Sequence, residues 1–181
     1  MTGASTTASK VAEIRNAFDH SYAIPPASQV GEQIENLLAV RVAGDPYALR
    51  VGEISSLTNS RKTVALPSPV SELLGVAGIR GGFVPVYSLA ALLGYNRDVE
   101  QPRWLALCGI EEPIGLAFSD LEGYFRVPGA QIYAAKQGDV TRAHVQHVVR
   151  TAEGVRAVVS IPYMVEMIKR RCEKNRVSKE R

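Results

Sequence analysis

The residues able to do chemistry are few, and their spacing gives them little to do together. The chain has three histidines, His20, His144 and His147, and two cysteines, Cys108 and Cys172. His144 and His147 stand where a strand is expected to start. Side chains alternate along a strand, so this spacing puts them on opposite faces and a shared metal is not expected. The cysteines lie far apart and match no metal spacing. Cys108 sits in a strand-like run and reads as a small core residue. No Gly-x-Ser-x-Gly elbow and no phosphate-binding loop occurs. Gly75-Val-Ala-Gly78-Ile-Arg-Gly81 is not followed by a long helix, so its glycines read as turn residues. Asp45, Asp120 and Glu122 read as turn and strand-end acids, with no signal of a catalytic pair. The expectation is therefore no enzyme, no metal and no cofactor. What remains is charge in apolar surroundings. Arg80 is a lone cation beside Gly81 and Gly82, and it needs a carboxylate, carbonyls or a bound partner. Glu53 ends the apolar run of the second strand. The two are expected to meet at one surface, as a structural ion pair or as part of a partner-binding site.

The stretch Val76–Leu93 positions Arg80. It reads as a strand, a Gly81-Gly82 turn, a second strand and a short helix. Phe83, Val84 and Val86 form the second strand. Pro85 has no N–H, which demands an edge or a bulge. Ser88 is the expected N-cap of Leu89–Leu93, and Gly94 the stop. Upstream, Leu38, Val40 and Val42 alternate, Gly44-Asp45-Pro46 turns, and Tyr47, Leu49 and Val51 alternate back as a hairpin. Thr63–Leu66 reads as a short strand and Val70–Leu74 as one helical turn. A second hairpin spans Val145–Ile161, turning at Ala152-Glu153-Gly154. Met164, Val165 and Ile168 are expected to anchor a C-terminal helix that frays past Arg171. At the other end, Met1–Ser9 reads as disordered. Lys10–His20 carries Val11, Ile14 and Phe18 on one helical face, and Pro25-Pro26 opens a linker.

The second half repeats the first. Leu37–Ile54 aligns without gaps on Trp104–Leu121, at an offset of 67 residues. Leu38 falls on Leu105, Ala39 on Ala106, Pro46 on Pro113, Leu49 on Leu116, and Glu53 on Asp120. VYSLAALL at Val86–Leu93 matches VVSIPYMV at Val158–Val165, each a strand, a serine and a helix. The expected fold is mainly β: two small barrels of about five strands each, with short helices and a C-terminal helix.

Composition sets outer limits. With 181 residues and 46% apolar content the chain can bury a real core. No apolar run approaches the ~20 residues of a membrane span, so no direct membrane insertion is expected. No basic flank and apolar run mark a signal peptide, and the expected compartment is the cytoplasm. The net charge of +3 is uneven. Lys169–Arg181 holds seven Lys or Arg against two Glu, or +5, which leaves −2 on the other 168 residues. That tail is a solvated helix end or a surface for an acidic partner or RNA. A nucleic-acid barrel would interleave basic and aromatic residues on its strands. Here those strands are mostly Val, Leu and Ala, so a small-barrel nucleic-acid binder using the basic tail is the alternative and no nucleic acid is expected.

Gly75, Val76, Arg80, Gly81, Val84, Pro85, Val86, Leu89, Leu93 and Gly94 together resemble the pattern of CheW-type chemotaxis coupling domains. Tyr47–Ile54 is similar to that family's first hairpin and its Val-x-Glu-Ile segment. The resemblance covers roughly residues 37–171. It implies two SH3-like barrels, about 37–94 and 103–161, with a groove between them, a helix at about 162–171, an extension at 1–36 and a basic tail at 172–181. It implies a non-enzymatic adaptor between a methyl-accepting chemoreceptor-like protein and the regulatory domain of a CheA-type histidine kinase. Other CheW-like proteins are further partners. The implied partner-binding residues are Val51, Glu53, Ile54, Arg80 and Val84. Gly81, Gly82, Pro85, Ser88, Gly94 and Ser160 are expected as turns and caps. Ser88, Ser160 and Ser119 stand where the family commonly has Asp. Serine still caps a helix at the first two, but the negative charge is gone.

Overall fold

Strands buried on both faces need cover from two sides, and three such strands set this architecture. The computed structural model describes residues 33–59, 62–96, 101–109, 112–135, 145–152 and 154–179, with side chains to residue 174. The elements are β1 (Ile34–Val42), β2 (Asp45–Arg50), a 3-10 turn (Val51–Glu53), β3 (Ser56–Asn59), β4 (Thr63–Val64), β5 (Leu73–Ile79), β6 (Gly82–Ser88) and α1 (Leu89–Leu92). They continue as β7 (Trp104–Cys108), β8 (Ile114–Phe118), β9 (Asp120–Pro128), a 3-10 turn (Gly129–Gln131), β10 (Ile132–Ala134), β11 (Val145–Thr151), β12 (Gly154–Val159) and α2 (Ile161–Lys179). Lys10–His20, Met1–Ser9, His20 and His144 lie outside the described residues. Thr63–Val64 is the whole of the strand expected to reach Leu66. Where one helical turn was expected at Val70–Leu74, a turn closed by Leu73 N–H to Val70 O at 3.2 Å leads straight into β5. The body begins at Ile34 rather than after residue 36.

The strands form two barrel-like sheets, and the chain exchanges segments between them. The first sheet runs β10-β11-β12-β2-β1-β9, the second β3-β7-β8-β6-β5-β4. Each has six strands among the described residues, not five. Nor do the sheets divide at residues 37–94 and 103–161. The first takes hairpin β1–β2 from the first half and β9–β12 from the second. The second takes β3–β6 and hairpin β7–β8. Four pairings make the exchange: antiparallel β1–β9 and β3–β7, and two parallel ones, β12 on β2, from Ala157↔Tyr47 to Val159↔Leu49, and β6 on β8, from Val86↔Gly115 to Ser88↔Ala117. The repeat survives as β1–β2 matching β7–β8, with a register one residue different. Leu38 faces Leu49, whereas Leu105 faces Ala117 rather than Leu116.

The exchange explains the burial. Val84, Val86, Leu105, Leu107, Ala77 and Ala117 fill the second sheet's interior. Leu37, Ala48, Val127, Val149 and Val158 fill the first's. The largest core lies between the sheets, where Val40, Tyr47 and Leu49 meet Ala106, Cys108, Leu116 and Phe118. β2, β7 and β8 therefore have no solvent face. β8 is buried at all its positions, Ile114 to Phe118, which is why it reads as an unbroken apolar run.

Helix α2 starts after β12 and packs into this shared core through Ile161, Met164 and Ile168, with Val165 against it. It does not end at Arg171 but continues to Lys179. Lys169 Nζ reaches Glu112 at 2.7 Å, and Arg171 pairs with Glu72. The helix thus leaves the first sheet and is tied to the second.

Candidate partner-docking surface

Hairpin β5–β6 carries Arg80 at its tip. Ile79 pairs with Gly82, so the two turn residues are Arg80 and Gly81, not Gly81 and Gly82. Both have positive φ, 51° and 79°, as a two-residue hairpin turn of this hand requires. An arginine there costs about 1 kcal/mol relative to an unstrained conformation. Arg80 is exposed, and its guanidinium donates to Ser56 Oγ at 3.3 Å. A cleft of about 380 Å³ lies beside it, lined by Ser56 and Thr58 of β3 and Gly78 and Ile79 of β5. Pro85 directly precedes Val86, the first β6 residue paired with β8, so its missing N–H falls where β6 has only β5 as neighbour.

Alternation then sorts this hairpin into two faces. Val84 is 4% exposed and lies in the barrel interior, so the implied docking role cannot belong to its side chain without opening the barrel. Its neighbour Phe83 is 84% exposed. Phe83 faces Gly78, Pro85 faces Val76, and Val76 faces Val64 across β6, β5 and β4. Those residues share the outer face. Val64, at 59% exposed, and the half-buried Val76 and Pro85 continue an apolar surface from Phe83. The sequence signal for Phe83 was available: with Val84 and Val86 inward, period two sends Phe83 outward.

Glu53 and Arg80 do not partner each other. Glu53 Oε2 accepts the N–H of Ile161, the first residue of α2, at 2.9 Å. Its other oxygen lies 3.5 Å from Arg50, which also approaches Glu35 at 3.7 Å. β2 and β12 are parallel neighbours, so their C-terminal ends lie side by side. That pairing, invisible in local sequence, puts Glu53 under α2. Val51 is half-buried, and Ile54 packs against the shared core.

The cap residues have definite roles. Ser88 Oγ accepts the Ala91 N–H at 3.2 Å. Gly94, with φ 83°, follows α1, and its N–H goes to Ala91 O at 3.0 Å. Ser160 O accepts from the Met164 N–H at 3.2 Å. Ser119 is buried and donates to Arg41 O at 3.1 Å.

Among the described residues no three His, Cys, Asp or Glu side chains cluster as a metal site. His147 Nδ1 is buried without a bonding partner among the described residues. Burial, then the charge of Glu53, pushes the Cys108 thiol up to about 12. Burial, then the neighbouring Cys172, pushes the Tyr87 hydroxyl up to about 12. Glu122 does more than end a strand. It bridges exposed Arg41 and buried Arg156, beside a cavity of about 280 Å³ at the first sheet's mouth, with Gly123 and Thr151 in its wall. Burial works against its charge, but the bonds from Arg156 and Arg41 outweigh it and hold the carboxyl below the usual range.

Two strand-exchanged small barrels around a shared core, with an apolar and cationic hairpin face, define a double-barrel β module. The family model for the CheW-like domain matches residues 36–169, across both sheets and most of α2's docked length. The chain belongs to that family. A solved relative in fold is the scaffolding protein TtCheW from Thermoanaerobacter tengcongensis. It superposes with a TM-score of 0.63 at 14% identity, covering 72% of this chain and 91% of that one. No curated protein sequence matches the chain significantly.

Proposed function

We propose that this chain is a cytoplasmic, non-enzymatic adaptor that couples a chemoreceptor-like protein to the regulatory domain of a CheA-type histidine kinase. The observation that carries the reading is the CheW-like match over 36–169, which includes both barrels. The described TtCheW is itself a scaffolding protein. Among the described residues no helix is long and apolar enough to cross a membrane. Adaptor work needs two surfaces held rigidly, and the shared core supplies that rigidity. The outer face of β4–β6 is the docking surface for the kinase's regulatory domain. Small transient interfaces depend on a few apolar anchors, and Phe83 is the anchor here. Its burial contributes roughly 2–3 kcal/mol.

Titration calorimetry with the kinase regulatory domain tests this placement. Phe83→Asp should weaken binding at least tenfold while leaving the melting temperature within a degree or two, because Phe83 is 84% exposed in the isolated chain. Wild-type affinity in Phe83→Asp would remove the β4–β6 face from the interface.

A further inference from the structure

Three segments converge on Glu53. β2 ends at Arg50, and the chain turns through Val51–Glu53 towards the second sheet. β12, paired with β2 up to Val159↔Leu49, ends one residue before α2. Just past that turn, Ser55 donates its N–H to Leu107 O of β7, in the second sheet, at 2.8 Å. The carboxylate therefore sits where the first sheet, the second sheet and α2 meet. Its bond to the Ile161 N–H satisfies a donor that no helix of its own can satisfy. A carboxylate there also complements the helix dipole. Across the repeat the solution differs. Ser88 caps α1 from its own chain position, and Asp120, the residue matching Glu53, pairs with Arg103. The long-range cap is particular to α2.

We infer that Glu53 is a positioning residue rather than a partner contact. Its carboxylate fixes the first turn of α2 to the crossover, so that Val51 and Ile54 present one fixed shape to a partner. Arg50, braced by Glu35, holds the carboxylate in place. A residue that contacted a partner through its charge would have that charge free at the surface. Glu53 instead has one oxygen on a backbone N–H and the other beside Arg50. The binding half of this inference rests on the adaptor reading; the cap itself does not.

Two substitutions separate the possibilities. Glu53→Gln keeps an oxygen acceptor for the Ile161 N–H and loses the charge. Glu53→Ala loses both. Amide hydrogen exchange at Ile161 reads the cap, and titration with the cytoplasmic hairpin of a chemoreceptor reads partner binding. Glu53→Ala should speed Ile161 exchange about fivefold, the scale of a lost cap, and weaken hairpin binding by a similar factor. Glu53→Gln should stay within about twofold of wild type in both. Unchanged Ile161 exchange in Glu53→Ala overturns the cap. Faster exchange with wild-type binding overturns the positioning role. Equal binding losses in Gln and Ala variants, at wild-type exchange, make Glu53 a direct charge contact. A wild-type chain that does not bind the hairpin sinks the adaptor reading, while Ile161 exchange still decides the cap.

Discussion

Gly75 shows how a single position can be fixed by its neighbours' backbone. Its φ is 141°, and an added Cβ would lie 2.1 Å from Val64 O. That oxygen belongs to β4, paired with β5, and cannot move aside without breaking the pairing. Gly75→Ala should cost about 3 kcal/mol in denaturant unfolding, from backbone strain and the clash together. Gly78→Ala is the control, because a Cβ there meets nothing within 4 Å. The thiols give a second residue-scale outcome. Cys108 is buried with its pKa raised, and Cys172 is exposed. One thiol should react with a maleimide at pH 8 in the native chain, and both in denaturant. Glu122 gives a third. Its folded pKa lies below the unfolded value of about 4.3. Its contribution is therefore present above that value and is lost as pH falls through the folded pKa. Glu122→Gln should lower stability at pH 7 by about 2 kcal/mol, less than for a fully buried pair because Glu122 is 27% exposed. It should also flatten the acid side of the stability–pH curve, measured by urea unfolding from pH 7 to pH 3. At this scale the sequence was legible where chemistry is local. Ser88 could be read as a cap because it precedes its own helix. Glu53 could not, because the N–H it caps belongs to Ile161.

At the scale of elements, hairpins were legible and their ends less so. The β5–β6 hairpin was clear from apolar runs and glycines, but its turn moved one residue, because Arg80 takes a left-handed conformation that glycine adopts more readily. Val84 and Phe83 follow from the same strand: pattern says which alternate residues share a face, and burial then says which face is inside. α2 was foreseen too short. Apolar spacing stops at Ile168, yet the backbone bonds of a helix continue where side chains no longer pack. Beyond Cys172, whose Sγ lies 3.9 Å from the Tyr87 hydroxyl, no side-chain bond to the sheets is described up to residue 174. Deleting Glu173–Arg181 should therefore move the melting temperature by no more than a few degrees. Ile168→Ala, which empties a core site that is 3% exposed, should cost about 3 kcal/mol. Differential scanning calorimetry compares the two directly.

At the scale of the molecule, the repeat was legible and its assembly was not. Alternation and turns report neighbours along the chain. The β12–β2 and β6–β8 pairings join strands from different halves, and nothing local encodes them. The outcome is one core shared by two sheets, which holds the outer faces of both at a fixed separation. The adaptor reading uses that rigidity, because a bridge must present two partners in one geometry. It is tested most directly by three-component capture. An immobilised chemoreceptor hairpin is incubated with the kinase regulatory domain, with and without this chain, and the retained kinase domain is quantified. The account predicts retention that needs the wild-type chain and falls at least tenfold with Phe83→Asp, while the variant itself still binds the receptor hairpin. Retention of the kinase domain at the same level without the chain, or none in its presence, would contradict it.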